Sequence, residues 1–129
     1  MIQLCTGVDL VETDRMQGLN PRIRERFIRR VYTQREIDQV RGVDEALIAR
    51  FAAKEAVSKA LGTGIGCVRW QDIEILEKVT GAPFIVLHGR AKEIAAALGL
   101  QQWTLSLSHS RSHAVAFVVG WGEIQPEAG

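Results

Sequence analysis

The stretch from Glu45 to Leu61 constrains this chain more than any other. Leu47, Ile48, Phe51, Ala52, Ala56 and Ala60 fall at the spacing that lines one face of an α-helix. Asp44 stands in front as an N-cap, and Gly62 follows as a natural terminator. An amphipathic helix of this length must bury its apolar face against another layer.

Strand-like segments supply that layer. Ile2 to Leu10, Ile73 to Leu76, Phe84 to His88, Thr104 to Ser108 and Ala114 to Val119 are rich in apolar and β-forming residues. Thr80-Gly81-Ala82-Pro83 marks a hairpin turn, and Ala91 to Leu98 reads as a short helix ended by Gly99. A further helical pattern runs through Met16, Leu19, Ile23, Phe27 and Val31, from a cap at Thr13 or Asp14 to about Arg30. Asn20-Pro21 interrupts it, so a loop or a new helix start is expected there. Thr33 and Glu36 fit a capping box opening a short helix to about Val40. With no linker or repeat, 1–129 reads as a single domain. Hairpin-type connections give an α+β fold, a mainly antiparallel sheet packed against helices with one long central helix.

Charge narrows the function classes. The 129 residues are 47% hydrophobic and carry a net charge of +1, which excludes disorder and any bulk attraction to nucleic acid or membrane. No apolar run approaches the roughly 18–20 residues that span a bilayer. Met1 to Cys5 has no secretory pattern, so a cytoplasmic chain is expected, with Cys5 and Cys67 as reduced, buried thiols.

Three places could carry chemistry. On the long helix Glu55 and Lys59 share a face, with Ser58 beside them, and Gly62-Thr63-Gly64-Ile65-Gly66 follows. Taken alone, Glu55 and Lys59 form a surface pair. Three alternating glycines exceed the needs of a helix cap and let backbone N–H groups approach a phosphate. Neither a Walker loop nor a dinucleotide fingerprint is present. Next, Asp9 ends the first strand as a helix-capping acid or, together with Glu55, as a ligand for a hard cation. Last, Ser108-His109-Ser110 closes a late strand, but no nucleophile elbow accompanies it, which argues against a serine hydrolase.

Gly7-Val8-Asp9-Leu10-Val11-Glu12, the run Arg50 to Gly66 and Ser106-Leu107-Ser108-His109 together resemble one family, across about Gln3 to Val119. The chain resembles the holo-[acyl-carrier-protein] synthases, the small bacterial 4'-phosphopantetheinyl transferases. The resemblance implies transfer of 4'-phosphopantetheine from coenzyme A to a serine of apo-acyl carrier protein, releasing adenosine 3',5'-bisphosphate, in fatty acid biosynthesis. It implies Mg²⁺ or Mn²⁺ on Asp9 and Glu55, and a homotrimer with active sites between subunits. Lys59 would contact phosphates, with Arg50, Gly62, Thr63, Gly64, Ile65 and Pro83 lining the coenzyme site. Ser108, His109 and Ser110 would reach it from a neighbouring subunit. Ser110 stands where the family often has Thr or Asp, and His113 where it often has an aromatic. Glu55, directly or through a metal-bound water, and His109 are both candidates for the base.

The net charge conceals a local one. Between Asp14 and Arg35 seven arginines face two acids, a segment charge of +5 against −4 elsewhere. Such a helix is either a solvated face, a nucleic-acid binder or a dock for an acidic protein, and few aromatics speak for RNA stacking. Since acyl carrier proteins are acidic, the resemblance implies that Arg15, Arg22, Arg24, Arg26 and Arg30 dock the carrier, with Phe27 or Met16 as an apolar anchor. A non-catalytic binding module on the same fold is the other reading. The intact Asp9, Glu55 and Lys59 set argues against it.

Overall fold

The computed structural model describes residues 1–124. In chain order its elements are β1 (Ile2–Glu12), α1 (Pro21–Val31), α2 (Gln34–Val40), α3 (Asp44–Ala60), β2 (Ile73–Glu77), β3 (Pro83–Leu87), α4 (Gly89–Ala97), β4 (Gln102–His109) and β5 (His113–Glu123). A 3₁₀ turn at Trp70–Asp72 leads into β2. The mixed α+β reading holds, and all strand pairs are antiparallel, but they form two sheets: β1-β5-β4 and β2-β3. Gln125 to Gly129, read as a frayed tail, lie outside the described residues.

The long helix lies on the three-stranded sheet because both surfaces are made of small residues. Ala52, Ala53 and Ala56 of α3 and Ala116 and Val118 of β5 are fully buried. Gly7 takes the approach furthest: a Cβ there would sit 1.9 Å from the Ala56 carbonyl oxygen. Only glycine lets β1 press so closely on α3, and Asp9 lies two residues further along the strand.

The opposite face of this sheet is uncovered. Along β1, Ile2, Leu4, Val8 and Leu10 are each more than half exposed, and Phe117 of β5, paired with Val8, is 46% exposed.

Several expectations are corrected. Thr13 and Asp14 start no helix; residues 13–18 are turns, and Asn20 is the cap of α1, its side chain accepting from the Arg22 amide. The Thr13 hydroxyl instead donates to the Arg111 carbonyl 2.6 Å away, a contact across the chain that local pattern does not report. Asp44 is the first residue of α3 rather than its cap, and its carboxylate takes an ion pair from Arg24. Cys67 is exposed and Cys5 half-buried, rather than both buried; both are free. The capping box of α2 is present as expected, with Thr33 and Glu36 each bonding the other's backbone N–H.

Charges also enter the core. Lys54 and Glu36 are fully buried and paired at 2.8 Å, with the carbonyls of Trp70 and Ile73 completing the ammonium's shell. Burial pushes the Lys54 ammonium below its ordinary pKa, against the pull of Glu36. Glu74 is buried as well. Burial raises its pKa, but hydrogen bonds from Thr33 and His88 and the charge of Arg35 outweigh this and hold it low. The folded carboxyl therefore binds its proton less tightly than the unfolded one. Glu74 contributes stability above the ordinary carboxylate range and loses it as pH falls through that range. Glu74→Gln is expected to lower the urea midpoint at pH 7, and the gap to the parent should shrink as pH drops below about 4. A gap independent of pH would contradict this linkage.

Candidate active site

Lys59 sits one turn beyond Glu55 on α3, on the side that faces β1. Its ammonium donates to Asp9 Oδ1 at 2.8 Å and to the Val8 carbonyl at 3.1 Å. The Asp9 side chain is only 14% exposed, whereas Lys59 is half exposed. Strand and helix thus bring together two motifs fifty residues apart in sequence.

Glu55 completes the cluster. Its carboxyl is held above the ordinary range, first by burial and then by the negative charge of Asp9; Lys59 and Arg15 pull it back. Two partly buried carboxylates that repel each other are the kind of pair that suits a hard cation completed by phosphate oxygens and water. Among the described residues no group of three or more His, Cys, Asp or Glu side chains gathers.

The glycine loop departs from expectation. Four of its five amides are already engaged: Gly62 donates to Lys59 O, Thr63 and Gly64 both to Ser58 O, and Gly66 to Val68 O. Gly62 and Gly64 have φ of +77° and +63° with open space around the Cβ positions, so backbone conformation, not crowding, demands glycine. The glycines close α3 and do not present a row of free N–H groups. What the loop leaves open is the Thr63 hydroxyl, buried and without a hydrogen-bond partner among the described residues.

The remaining expected residues do not join this cluster within one chain. Arg50 is buried against β2, donating to the carbonyls of Ile75 and Ala46 and to Gln39, with Glu77 3.8 Å away. Pro83 opens β3 opposite Glu77, so Arg50 of α3 packs against the same β2–β3 hairpin that carries Pro83. Ser108, His109 and Ser110 are exposed at the end of β4. His109 lies two strands and two residues from Asp9 in the sheet register, about 12 Å apart by strand spacing.

The arginines of α1 also divide. Arg24 is neutralised by Asp44 and Arg29 by Glu25. Arg15 stacks over the Phe51 ring at 4.6 Å. Arg22, Arg26 and Arg30, spaced four apart, have no ion-pair partner among the described residues. Beside that stripe Arg15, Met16, Leu19, Ile23 and Phe27 line an apolar groove of about 180 Å³. Met16 is its buried floor and Phe27 packs on Phe51 and Tyr32, so the exposed apolar group is Ile23, which the sequence places in the helical pattern but not among the expected anchors. Its helical spacing from Leu19 and Phe27 was the available signal.

Residues 5–118 match the family model of the 4'-phosphopantetheinyl transferase superfamily. A holo-[acyl-carrier-protein] synthase of Herpetosiphon aurantiacus is 46% identical over 126 residues, covering 92% of this chain and 99% of that protein. The Natranaerobius thermophilus holo-[acyl-carrier-protein] synthase is 42% identical, covering 91% of this chain and 96% of its own length. Among solved structures, the Helicobacter pylori holo-[acyl-carrier-protein] synthase in complex with coenzyme A superposes with a TM-score of 0.80 at 33% identity, covering 89% of this chain and 98% of that one.

Proposed function

Given that the chain belongs to the holo-[acyl-carrier-protein] synthases of the 4'-phosphopantetheinyl transferase superfamily, we propose that Asp9, Glu55 and Lys59 form the site at which it transfers 4'-phosphopantetheine from coenzyme A to a serine of apo-acyl carrier protein. The observation that carries this reading is the convergence of β1 and α3, which sets the Asp9–Lys59 pair beside an elevated Glu55.

The chemistry needs charge neutralised on a pyrophosphate and a proton taken from a serine. The serine oxygen attacks the phosphorus that bears the pantetheine arm. The bridging P–O bond breaks, and adenosine 3',5'-bisphosphate leaves with that electron pair. Asp9 and Glu55 fit Mg²⁺ or Mn²⁺, which when bound supplies Lewis-acid stabilisation of the phosphoryl oxygens. Lys59 places a further positive charge beside them. Glu55, directly or through a bound water, takes the serine proton in this reading, with His109 as the alternative acceptor. The orphaned Thr63 hydroxyl is the loop's donor toward the coenzyme.

A homotrimer with inter-subunit sites, in a single-domain cytoplasmic protein serving fatty acid biosynthesis, belongs to the same reading. Two observations support the assembly. The apolar face of β1 and β5 lacks a covering layer. The coenzyme residues Ser108 to Ser110 lie apart from Asp9 within one chain, as expected if a neighbour contributes them. Phe117→Arg with Val8→Arg is expected to give monomers in analytical ultracentrifugation, with transfer reduced at least about tenfold because the sites lose their second half. An unchanged trimer would place the interface elsewhere.

Docking of the carrier rests on Arg22, Arg26 and Arg30, with Arg15 and the Ile23–Phe27 groove beside them. Incubation with coenzyme A, Mg²⁺ and apo-carrier tests the whole reading. The carrier should gain one phosphopantetheine by mass, and no gain on several apo-carriers would exclude it.

A further inference from the structure

Beyond the C-terminal turn of α1 the structure holds a cleft of about 350 Å³, bordered by Arg29, Arg30, Gly66, Arg69, Trp70 and Gln71. No carboxylate lines it. Arg29 is partly neutralised by Glu25, but Arg30 and Arg69 are exposed and have no ion-pair partner among the described residues. Two like charges bordering one concave space raise its potential and leave an anion as the natural occupant.

The cleft is held in shape from below. The Gln71 amide donates to the carbonyls of Arg29 and Tyr32, binding the end of α1 to the 3₁₀ turn. Trp70 stacks on Phe51 at 4.9 Å, and the Lys54 ammonium bonds the Trp70 carbonyl. The backbone of Arg69 is therefore held beside the end of α1, although it lies about forty residues from Arg30 in sequence.

We propose that Arg69 and Arg30 form a carboxylate-binding cleft for an acidic side chain of the protein substrate, making Arg69 a specificity-determining residue outside the basic helix. The proposal rests on the transferase reading for the identity of that partner. Its position favours a protein over a coenzyme phosphate. Arg22, Arg26 and Arg30 run four apart along α1, and the cleft lies at the end of that stripe, where a partner already lying along the helix reaches it. Guanidinium pairs hold carboxylates bidentately, which gives geometry as well as charge.

The test is direct binding of a net-negative apo-acyl carrier protein at low salt, without coenzyme A, so that transfer is not needed for the readout. Arg69→Glu should weaken the complex about tenfold, with the difference closing as salt rises. The same reversal at Arg90, an exposed α4 residue outside the cleft, should leave affinity within about twofold of the parent. Arg30→Glu combined with Arg69→Glu should cost less than the product of the single effects, because both serve one carboxylate. An Arg69→Glu affinity equal to that of Arg90→Glu would overturn the proposal. So would a rise in coenzyme A KM in place of the weakened carrier complex, which would assign the cleft to a phosphate. Arg69-dependent binding, with no phosphopantetheine transfer once coenzyme A and Mg²⁺ are added in a separate assay, would sustain the cleft and refute the transferase reading.

Discussion

Asp9→Asn should cost at least about 10³-fold in turnover and leave the fold almost untouched. The two halves of that result have different causes. The Asp9–Lys59 contact has one half-exposed partner, so its loss removes less than about 1 kcal/mol of stability. The same carboxylate is one of the two proposed to hold the divalent ion, and transition-state charge stabilised that way amounts to several kcal/mol. About 4 kcal/mol corresponds to roughly 10³ in rate. Glu55→Gln should fall at least as far, because it removes the second proposed ligand and a proposed proton acceptor together. Single-turnover transfer with saturating coenzyme A and Mg²⁺, beside a thermal melt of each variant, separates the causes. Turnover near the parent's in either folded variant would remove that residue from the site.

The second large effect is expected where no chemistry occurs. Gly7→Ala places a methyl 1.9 Å from the Ala56 carbonyl oxygen, so β1 must retreat from α3. Overpacking of a rigid contact costs about 3 kcal/mol, and here backbone meets backbone with no flexible side chain to yield. Asp9 moves with its strand, and a displacement of about 1 Å in a catalytic group can cost on the order of 10²-fold. The variant should melt earlier and, below its melt, still turn over about a hundredfold slower than the parent. A drop in stability with full activity in the folded fraction would show that Asp9 does not depend on this approach.

Gly7 also marks where the sequence was legible and where it was not. Elements governed by near neighbours could be read: the Thr33–Glu36 capping box, the Gly99 stop of α4 and the antiparallel pairing. Asp9, Glu55 and Lys59 were legible because each belongs to a motif that the family resemblance supplied. Features set by distant partners were not. Thr13 resembles a cap, yet its hydroxyl is taken by Arg111. Lys54 and Arg50 have the composition of a solvated helix face, yet carbonyls and carboxylates from α2, β2 and the 3₁₀ turn bury them. The glycine loop suggested free amides, and only the structure shows the helix end consuming those of Gly62, Thr63 and Gly64. The sheet's uncovered side was invisible because alternation in β1 is apolar on both faces, with Leu4, Val8 and Leu10 outward and Val11 inward.

The most direct test is release of adenosine 3',5'-bisphosphate, followed together with the mass of the carrier, for the parent, Asp9→Asn and Glu55→Gln at equal concentrations of folded protein. The account predicts one bisphosphate released per phosphopantetheine gained by the parent's carrier, with both signals lost together in the two variants. Transfer that persists in the variants, or a parent that leaves every apo-carrier unmodified, would contradict it.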